Sequence, residues 1–538
     1  MIEMTLREIA DLVGGTLHDV SDPAVTVTGA VEFDSRRIES GGLFLALPGE
    51  HVDGHDYAAA AVAAGAVAVL AARPVGVPAI VVEPFPGEKR AGELEGSERA
   101  GELEGSERAG ELEGSERAGE QGEGSERAGR PGGSGQSYAL AHDTDGSGAA
   151  VLAALAKLAR AVVDRLVAAN GLTVVGITGS SGKTSTKDLL ASVLAPLGPV
   201  VAPPGSFNNE IGHPWTALRA TAETRFLVLE LSARGHGHIK ALTEIAPPSV
   251  GVVLNVGTAH LGEFGSREAI AQAKGELVEA LPVDGVAVLN ADDSNVAAMA
   301  SRTAARVVTV GQAASADVRA TDITLDEAAR ARFTLSAKGS HAEVRLAVHG
   351  EHQVGNALAA AAVALECGAD LETVARTLSS ATVASAHRMD VRTRADGVTV
   401  INDSYNANPD SMRAALKALV TMSRAGEHPR RSWAVLGEMA ELGEESVIEH
   451  DRIGRLAVRL DVDRLIVIGT GRPSHGMHQG AVMEGSWGEE SVLVPDIDAA
   501  IALLDNEIAA GDVVLVKASN SIGLWAVAQH LTGTEAAR

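Results

Sequence analysis

The sequence predicts an α/β protein of three domains: a small α/β domain, a central P-loop ATPase-like parallel-sheet domain, and a Rossmann-like C-terminal domain. Three observations lead there. The chain has 538 residues, more than one hydrophobic core usually organises. Through its later two-thirds, apolar strand-length runs alternate with helical stretches, the pattern of parallel sheets covered by helices on both faces. At Thr173 a strand leads directly into a glycine-rich turn and a helix.

Taken in order, the first domain spans residues 1–170, with short strands over 25–31, 43–46 and 79–82. The Ala-rich stretch 58–72 reads as a helix running through Gly65 into a strand over 66–70, and is too short to span a membrane. A helical pattern over 149–168 closes the domain. Within it the unit RAGELEGSE begins at Arg90, recurs at Arg99 and Arg108, and decays at Arg117. Each copy offers at most one Leu and cannot build a solenoid core. The segment at about 88–137 therefore reads as a disordered, solvated insertion without a catalytic role, a protein-binding tail being the alternative. The central domain, 171–385, continues with a helix over 185–194 and strands over 226–231 and 250–256. The C-terminal domain, 386–538, alternates strands over 398–402, 432–436, 464–468 and 513–517 with helices such as 411–418.

Composition excludes several functions. Hydrophobic residues make up 45% and charged residues 22%, an ordinary globular balance. The formal net charge of -26 repels nucleic acid and anionic membranes, so an anionic ligand must be held by local groups or metal ions. Cys367 is the only cysteine, which excludes an intramolecular disulfide framework and fits a reducing cytosol. The amino terminus carries charges where a signal peptide needs an apolar core. The expectation is a soluble, cytoplasmic monomer.

The strongest chemical signal is the segment 173–184, TVVGITGSSGKT. Gly179 and Gly182 let backbone N–H groups turn towards phosphate oxygens, and the helix amino terminus adds partial positive charge. Ser180, Ser181 and Ser185 flank the same turn, Lys183 can reach β and γ phosphates, and the Thr184 hydroxyl can ligate Mg²⁺. Ile177 stands where the longer GxxxxGK[ST] form has Gly, so the match is to the shorter TGxxGKT. Alone the loop says only that a nucleotide phosphate binds.

Further motifs follow in order: GSFNNEIGHP at 205–214, LVLELSARGHGHI from Leu227, NVGTAHLGEFGS at 255–266, AQAKGEL at 271–277, GEHQVGNALAAAA at 350–362, HRMDV at 387–391 and NDSYNANPDSM at 402–412. This series resembles the Mur ligase family of peptidoglycan synthesis, most closely the branch joining D-alanyl-D-alanine to UDP-N-acetylmuramoyl-tripeptide. The segment 33–57 is similar to the family's UDP-sugar-binding domain. The resemblance covers the chain apart from the repeat, and implies an ATP-dependent peptide ligase working through an acyl phosphate.

It also implies residue roles. Lys183, Glu230, His260, Lys274, Asn356 and Arg388 match catalytic positions. Thr184, Glu230 and His260 would hold Mg²⁺, together with Lys274 carbamylated by CO₂ into an anionic ligand. Asn356, Arg388 and Asp403 would surround ATP, the last two completing the site when the third domain closes. Ser35 would contact UDP, Asn208 and Asn209 the UDP-muramoyl-peptide, and Asn406 and Asn408 the dipeptide. The segment 406–409 lacks the arginine that diamino-acid-adding members carry there, and Ser181 and Ser206 stand where Asn is usual. The alternatives are another Mur-type ligase, a folate-polyglutamate-type synthetase, and a P-loop ATPase or kinase switch module.

Overall fold

In the N-terminal part, Thr5 starts the helix Leu6–Val13 with a reciprocal cap, its side chain accepting from Glu8 N while Glu8 reaches back. A computed structural model describes residues 1–49, 52–84, 143, 145–258, 261–382, 384–485 and 490–533. The expected insertion and His260 lie outside the described residues.

Five strands form the first sheet, in the order Thr16–His18, Ala79–Val81, Ala68–Ala71, Leu43–Leu45 and Val31–Glu32. The continuous strand expected over 25–31 is broken. Thr26–Val27 pairs with Met4–Thr5, and the N–H groups of Thr28 and Gly29 both donate to Gly41 O, turning the chain before Val31. The expected passage of a helix through Gly65 is also corrected: the helix stops at Ala64. Gly65 takes a φ of +127°, and a Cβ there would lie 2.9 Å from Ser40 Cα, so only glycine allows the turn. The strand resumes at Ala68.

Helix Ser147–Asn170 joins the first two sheets. Its Val151, Leu155, Leu158, Val162 and Leu166 recur at helical spacing and are buried. They share one apolar cluster with Leu6 and Ile9 on one side and Leu227, Leu229, Ile239 and Leu277 on the other. Expected as the closing element of the first domain, this helix is a common wall.

The central sheet has nine strands. Val200–Val201, Phe226–Glu230, Thr173–Thr178, Val250–Val253, Val286–Asn290, Arg306–Gly311 and Val318–Leu325 run parallel in that spatial order. Arg330–Ala337 and Ser340–His349 then extend it antiparallel, a meander the sequence reading did not contain. Helices Lys183–Leu194, Gln353–Glu366 and Leu371–Ser380 cover one face of the sheet. Arg267–Glu279 and His238–Ile245 join Ser147–Asn170 on the other.

The third sheet is ordered Asp390–Thr393, Thr399–Asn402, Val513–Lys517, Ser432–Leu436, Arg464–Ile468 and Ser491–Val494, with all but the first strand parallel. Trp433, fully buried in its centre, donates from Nε1 to Asp512 at 2.9 Å. The helix expected over 411–418 lies within the longer Pro409–Arg424.

Because Leu158 is fully buried in the cluster shared by two sheets, Leu158→Ala should destabilise both together by about 2–5 kcal/mol. Urea denaturation followed by probes in each sheet should then show both midpoints falling in parallel.

Candidate active site

The strand Thr173–Thr178 delivers the phosphate loop at its carboxyl end, where parallel sheets place ligands. The helix beyond it begins at Lys183, two residues earlier than the expected Ser185, so Lys183, Thr184 and Ser185 form its first turn. First-turn N–H groups have no intrahelical acceptor and suit an anion. Gly182 caps the helix with a φ of +84°, and any Cβ there would collide with Asn356 Oδ1. Asn356 is itself held by donating to Gln353 Oε1 at 2.9 Å.

Asn255 clamps the loop from the neighbouring strand end. Its side chain accepts from Ser181 N at 2.9 Å and donates to Ser181 O at 3.1 Å, and its carbonyl accepts from Ser180 N at 3.2 Å. The sequence placed Asn255 in a motif but gave it no role. Lys183 Nζ donates to Gly179 O at 2.7 Å. Burial holds this ammonium below the ordinary lysine range, Arg388 adds to the effect, and Glu230 and Glu441 oppose it.

Below the loop, hydroxyl and carboxylate oxygens converge. Thr184 Oγ1 lies 2.8 Å from Ser206 Oγ and donates to Glu230 Oε2 at 3.2 Å. Glu230 ends its strand fully buried, and its Oε1 has no hydrogen-bond partner among the described residues. Burial raises its pKa against the pull of Lys183, Lys187 and Arg388. Lys274, on the helix Arg267–Glu279, is buried too. Burial, reinforced by Lys183, pushes its amine well below the usual lysine value. Thr184 and Glu230 of the expected metal set are thus brought together, while His260 lies outside the described residues.

The third sheet meets this corner with its own carboxyl ends. Arg388 donates to Ser206 Oγ at 2.9 Å and Thr184 Oγ1 at 3.3 Å, with its guanidinium 4.3 Å from the Tyr405 ring centre. Asn408 caps helix Pro409–Arg424 by accepting from Ser411 N at 2.9 Å, and donates from Nδ2 to Ser180 O at 3.3 Å. Asp410 accepts from Thr258 N at 3.1 Å, an approach open because Gly257 has no Cβ to obstruct it. Arg234 of the central part pairs with Glu441 at 3.2 Å.

These groups enclose a cavity of about 350 Å³, lined by the loop from Ser180 to Thr184, by Asn208 and Glu230, and by Arg388, Asn406, Asn408 and Ser519 from the third sheet. Asp403, Asn209, Asn356, Lys274 and Ser35 are not among its lining residues. Asp403 is buried, accepting from Lys517 Nζ at 2.6 Å and Met389 N at 3.1 Å. Asn209 accepts from Gly212 N at 2.9 Å through Oδ1. Asn406 turns its Oδ1 to its neighbour Ala407 N at 2.9 Å. Ser35 lies in the turn beyond Phe33, whose ring meets Trp215 edge-on at 5.9 Å, while Phe207 packs on Trp215 at 4.7 Å. That aromatic contact ties the first sheet to the segment carrying Asn208.

The chain matches the Mur ligase middle domain over residues 177–364, the Mur ligase, glutamate ligase domain over 387–520, and the Mur ligase family, catalytic domain over 28–96. It is 60% identical over 550 aligned residues to the UDP-N-acetylmuramoyl-tripeptide--D-alanyl-D-alanine ligase of Mycobacterium tuberculosis, covering 99% of each chain. The enzyme of the same name from Escherichia coli is 30% identical, again over 99% of both. Among solved structures, MurF from Acinetobacter baumannii superposes with a TM-score of 0.75 at 28% identity, covering 99% of both chains. The MurF ligase of Thermotoga maritima in complex with ADP gives 0.69 at 27%, covering 94% of this chain and 97% of that one.

Forcing a Cβ onto Gly182 imposes a left-handed residue and displaces Asn356. At about 1–2 kcal/mol for the backbone alone, Gly182→Ala should weaken nucleotide binding roughly 5- to 30-fold or more, as a fluorescent-ADP titration would read.

Proposed function

Because this chain belongs to the Mur ligase family, we propose that it joins D-alanyl-D-alanine to the terminal carboxylate of UDP-N-acetylmuramoyl-tripeptide. ATP is consumed to ADP and phosphate through an acyl phosphate, in peptidoglycan synthesis. The observation that carries the reading is the single cavity in which a phosphate loop, a buried carboxylate and the strand ends of a second sheet meet. A reaction that must bring a triphosphate, an acid and an amine together needs such a junction.

A carboxylate resists attack by an amine until one of its oxygens becomes a good leaving group. Transfer of the γ-phosphoryl group to the tripeptide carboxylate supplies that group. Lys183 and the first-turn N–H groups would stabilise the charge in transfer, with Arg388 doing so from the third sheet. The neutral dipeptide amine then attacks the acyl carbon, and the tetrahedral adduct collapses to amide and phosphate. Mg²⁺ fits the donor set: the Thr184 hydroxyl and the Glu230 carboxylate are hard oxygen ligands, and Glu230 Oε1 is buried without a partner among the described residues. When bound there, the ion would draw charge from the triphosphate.

Lys274 as a cation would oppose that ion. Its burial favours the neutral amine, which can attack CO₂, forming an N–C bond and releasing a proton to leave a carbamate. The carbamate and His260 would be the remaining members of the proposed metal set. Asn356 would support ATP, Asn208 the UDP-muramoyl-peptide, and Ser35 the UDP group, while Asn406 would face the dipeptide. A cytoplasmic setting is supported by the ATP and UDP-linked substrates. Among the described residues, no helix is long and apolar enough to cross a membrane.

Phosphate release should require both wall precursors, and Lys183→Ala should lower it by about 10²-fold or more. Turnover of ATP without the tripeptide would favour a plain ATPase instead. Protein equilibrated with ¹³C-bicarbonate should show a carbamate carbon by NMR, and Lys274→Arg should abolish that signal.

A further inference from the structure

Arg388 occupies an unusual stretch of backbone. The residues on either side, His387 and Met389, both lie in the left-handed region, with φ of +58° and +49°. Neither is glycine, and neither conformation persists unless its surroundings enforce it. His387 is held by its carbonyl, which accepts from Tyr405 N at 3.1 Å, and by Asn402 Nδ2, 2.8 Å from its Nδ1. Met389 is held by its N–H, which donates to Asp403 Oδ1 at 3.1 Å.

Asp403 and the loop after it are in turn fixed by one buried lysine. Lys517 is 1% exposed. It ends the strand Val513–Lys517, paired on one side with Thr399–Asn402 and on the other with Ser432–Leu436. Its ammonium donates to Asp403 Oδ2 at 2.6 Å, Asn406 O at 2.8 Å and Asp403 O at 3.3 Å. All three acceptors belong to the loop that carries Tyr405, on whose ring Arg388 rests. Lys517 is the rigid end of a relay: the ammonium holds Asp403, Asp403 holds Met389 N, and the left-handed pair aims the guanidinium at Thr184 and Ser206.

We propose that Lys517 is a positioning residue for the ligase reaction, acting through Asp403 and the strained 387–389 backbone to place Arg388. The proposal rests on the ligase reading above and deepens it. Asp403 accordingly serves the placement of Arg388, with both carboxylate oxygens engaged by the protein.

The test is a double-mutant cycle on the full-length enzyme, using ATP, UDP-N-acetylmuramoyl-tripeptide and D-alanyl-D-alanine, with single-turnover phosphate release as readout. Lys517→Met should lower the rate roughly 10- to 100-fold while changing the ATP KM less than about 3-fold, since a misplaced group costs the transition state more than ground-state binding. In an Arg388→Ala background the same change should cost less than about 2-fold, because the group it places is gone. Lys517→Arg, which keeps a cation at that place, should recover part of the rate. If Lys517→Met proves unfolded by circular dichroism, Lys517→Gln, which retains a donor, carries the same cycle. Equal losses in both backgrounds, or an undiminished rate in the single variant, would overturn the proposal. Absence of precursor-dependent phosphate release in the unaltered enzyme would instead defeat the ligase reading itself.

Discussion

Two parallel sheets meet carboxyl end to carboxyl end, and the site depends on the amino terminus of one helix that bridges them. Asn408 and Asp410 open helix Pro409–Arg424 and reach Ser180 O and Thr258 N of the central part. The same Asn408 side chain caps its own helix, so helix order and domain contact are one arrangement. Without that bridge Arg388 and Asn406 would belong to a different surface from Lys183 and Glu230. With it, groups from distant parts of the sequence line one cavity.

Electrostatics at the junction run against the molecule as a whole. The chain carries a net charge of -26, yet Lys183 and Arg388 face the cavity, with Lys517 buried at the end of its strand. The carboxylates among them are engaged: Asp403 binds Lys517, Glu441 pairs with Arg234, and Glu230 accepts from Thr184 through one oxygen, the other having no partner among the described residues. A local positive centre inside an acidic protein is what polyanionic substrates require, since long-range attraction is absent.

Much of the fold was legible because strand interiors are local signals. Residues 432–436, 464–468 and 513–517 are apolar runs bounded by polar residues, and they form the strands Ser432–Leu436, Arg464–Ile468 and Val513–Lys517. The antiparallel meander went unread although Arg330–Ala337 alternates buried and exposed positions, the period-two signature of a half-covered sheet. The phosphate loop was legible because turn, lysine and helix are contiguous. Asn255, Tyr405 and Lys517 were not, since each acts on a segment many residues away. Asp403 shows the boundary: its position at a strand end could be read, but its partner, 114 residues downstream, could not.

The three parts are not attached in the same way. Helix Ser147–Asn170 welds the first sheet to the second through one continuous apolar cluster, and separating them would expose that surface to water. The third sheet meets the second largely through hydrogen bonds and an ion pair, contacts for which water is a ready substitute. Parting the third sheet from the second therefore exchanges polar contacts for water, whereas parting the first from the second strips an apolar wall bare, so the two seams of the molecule are unequal in what their rupture costs.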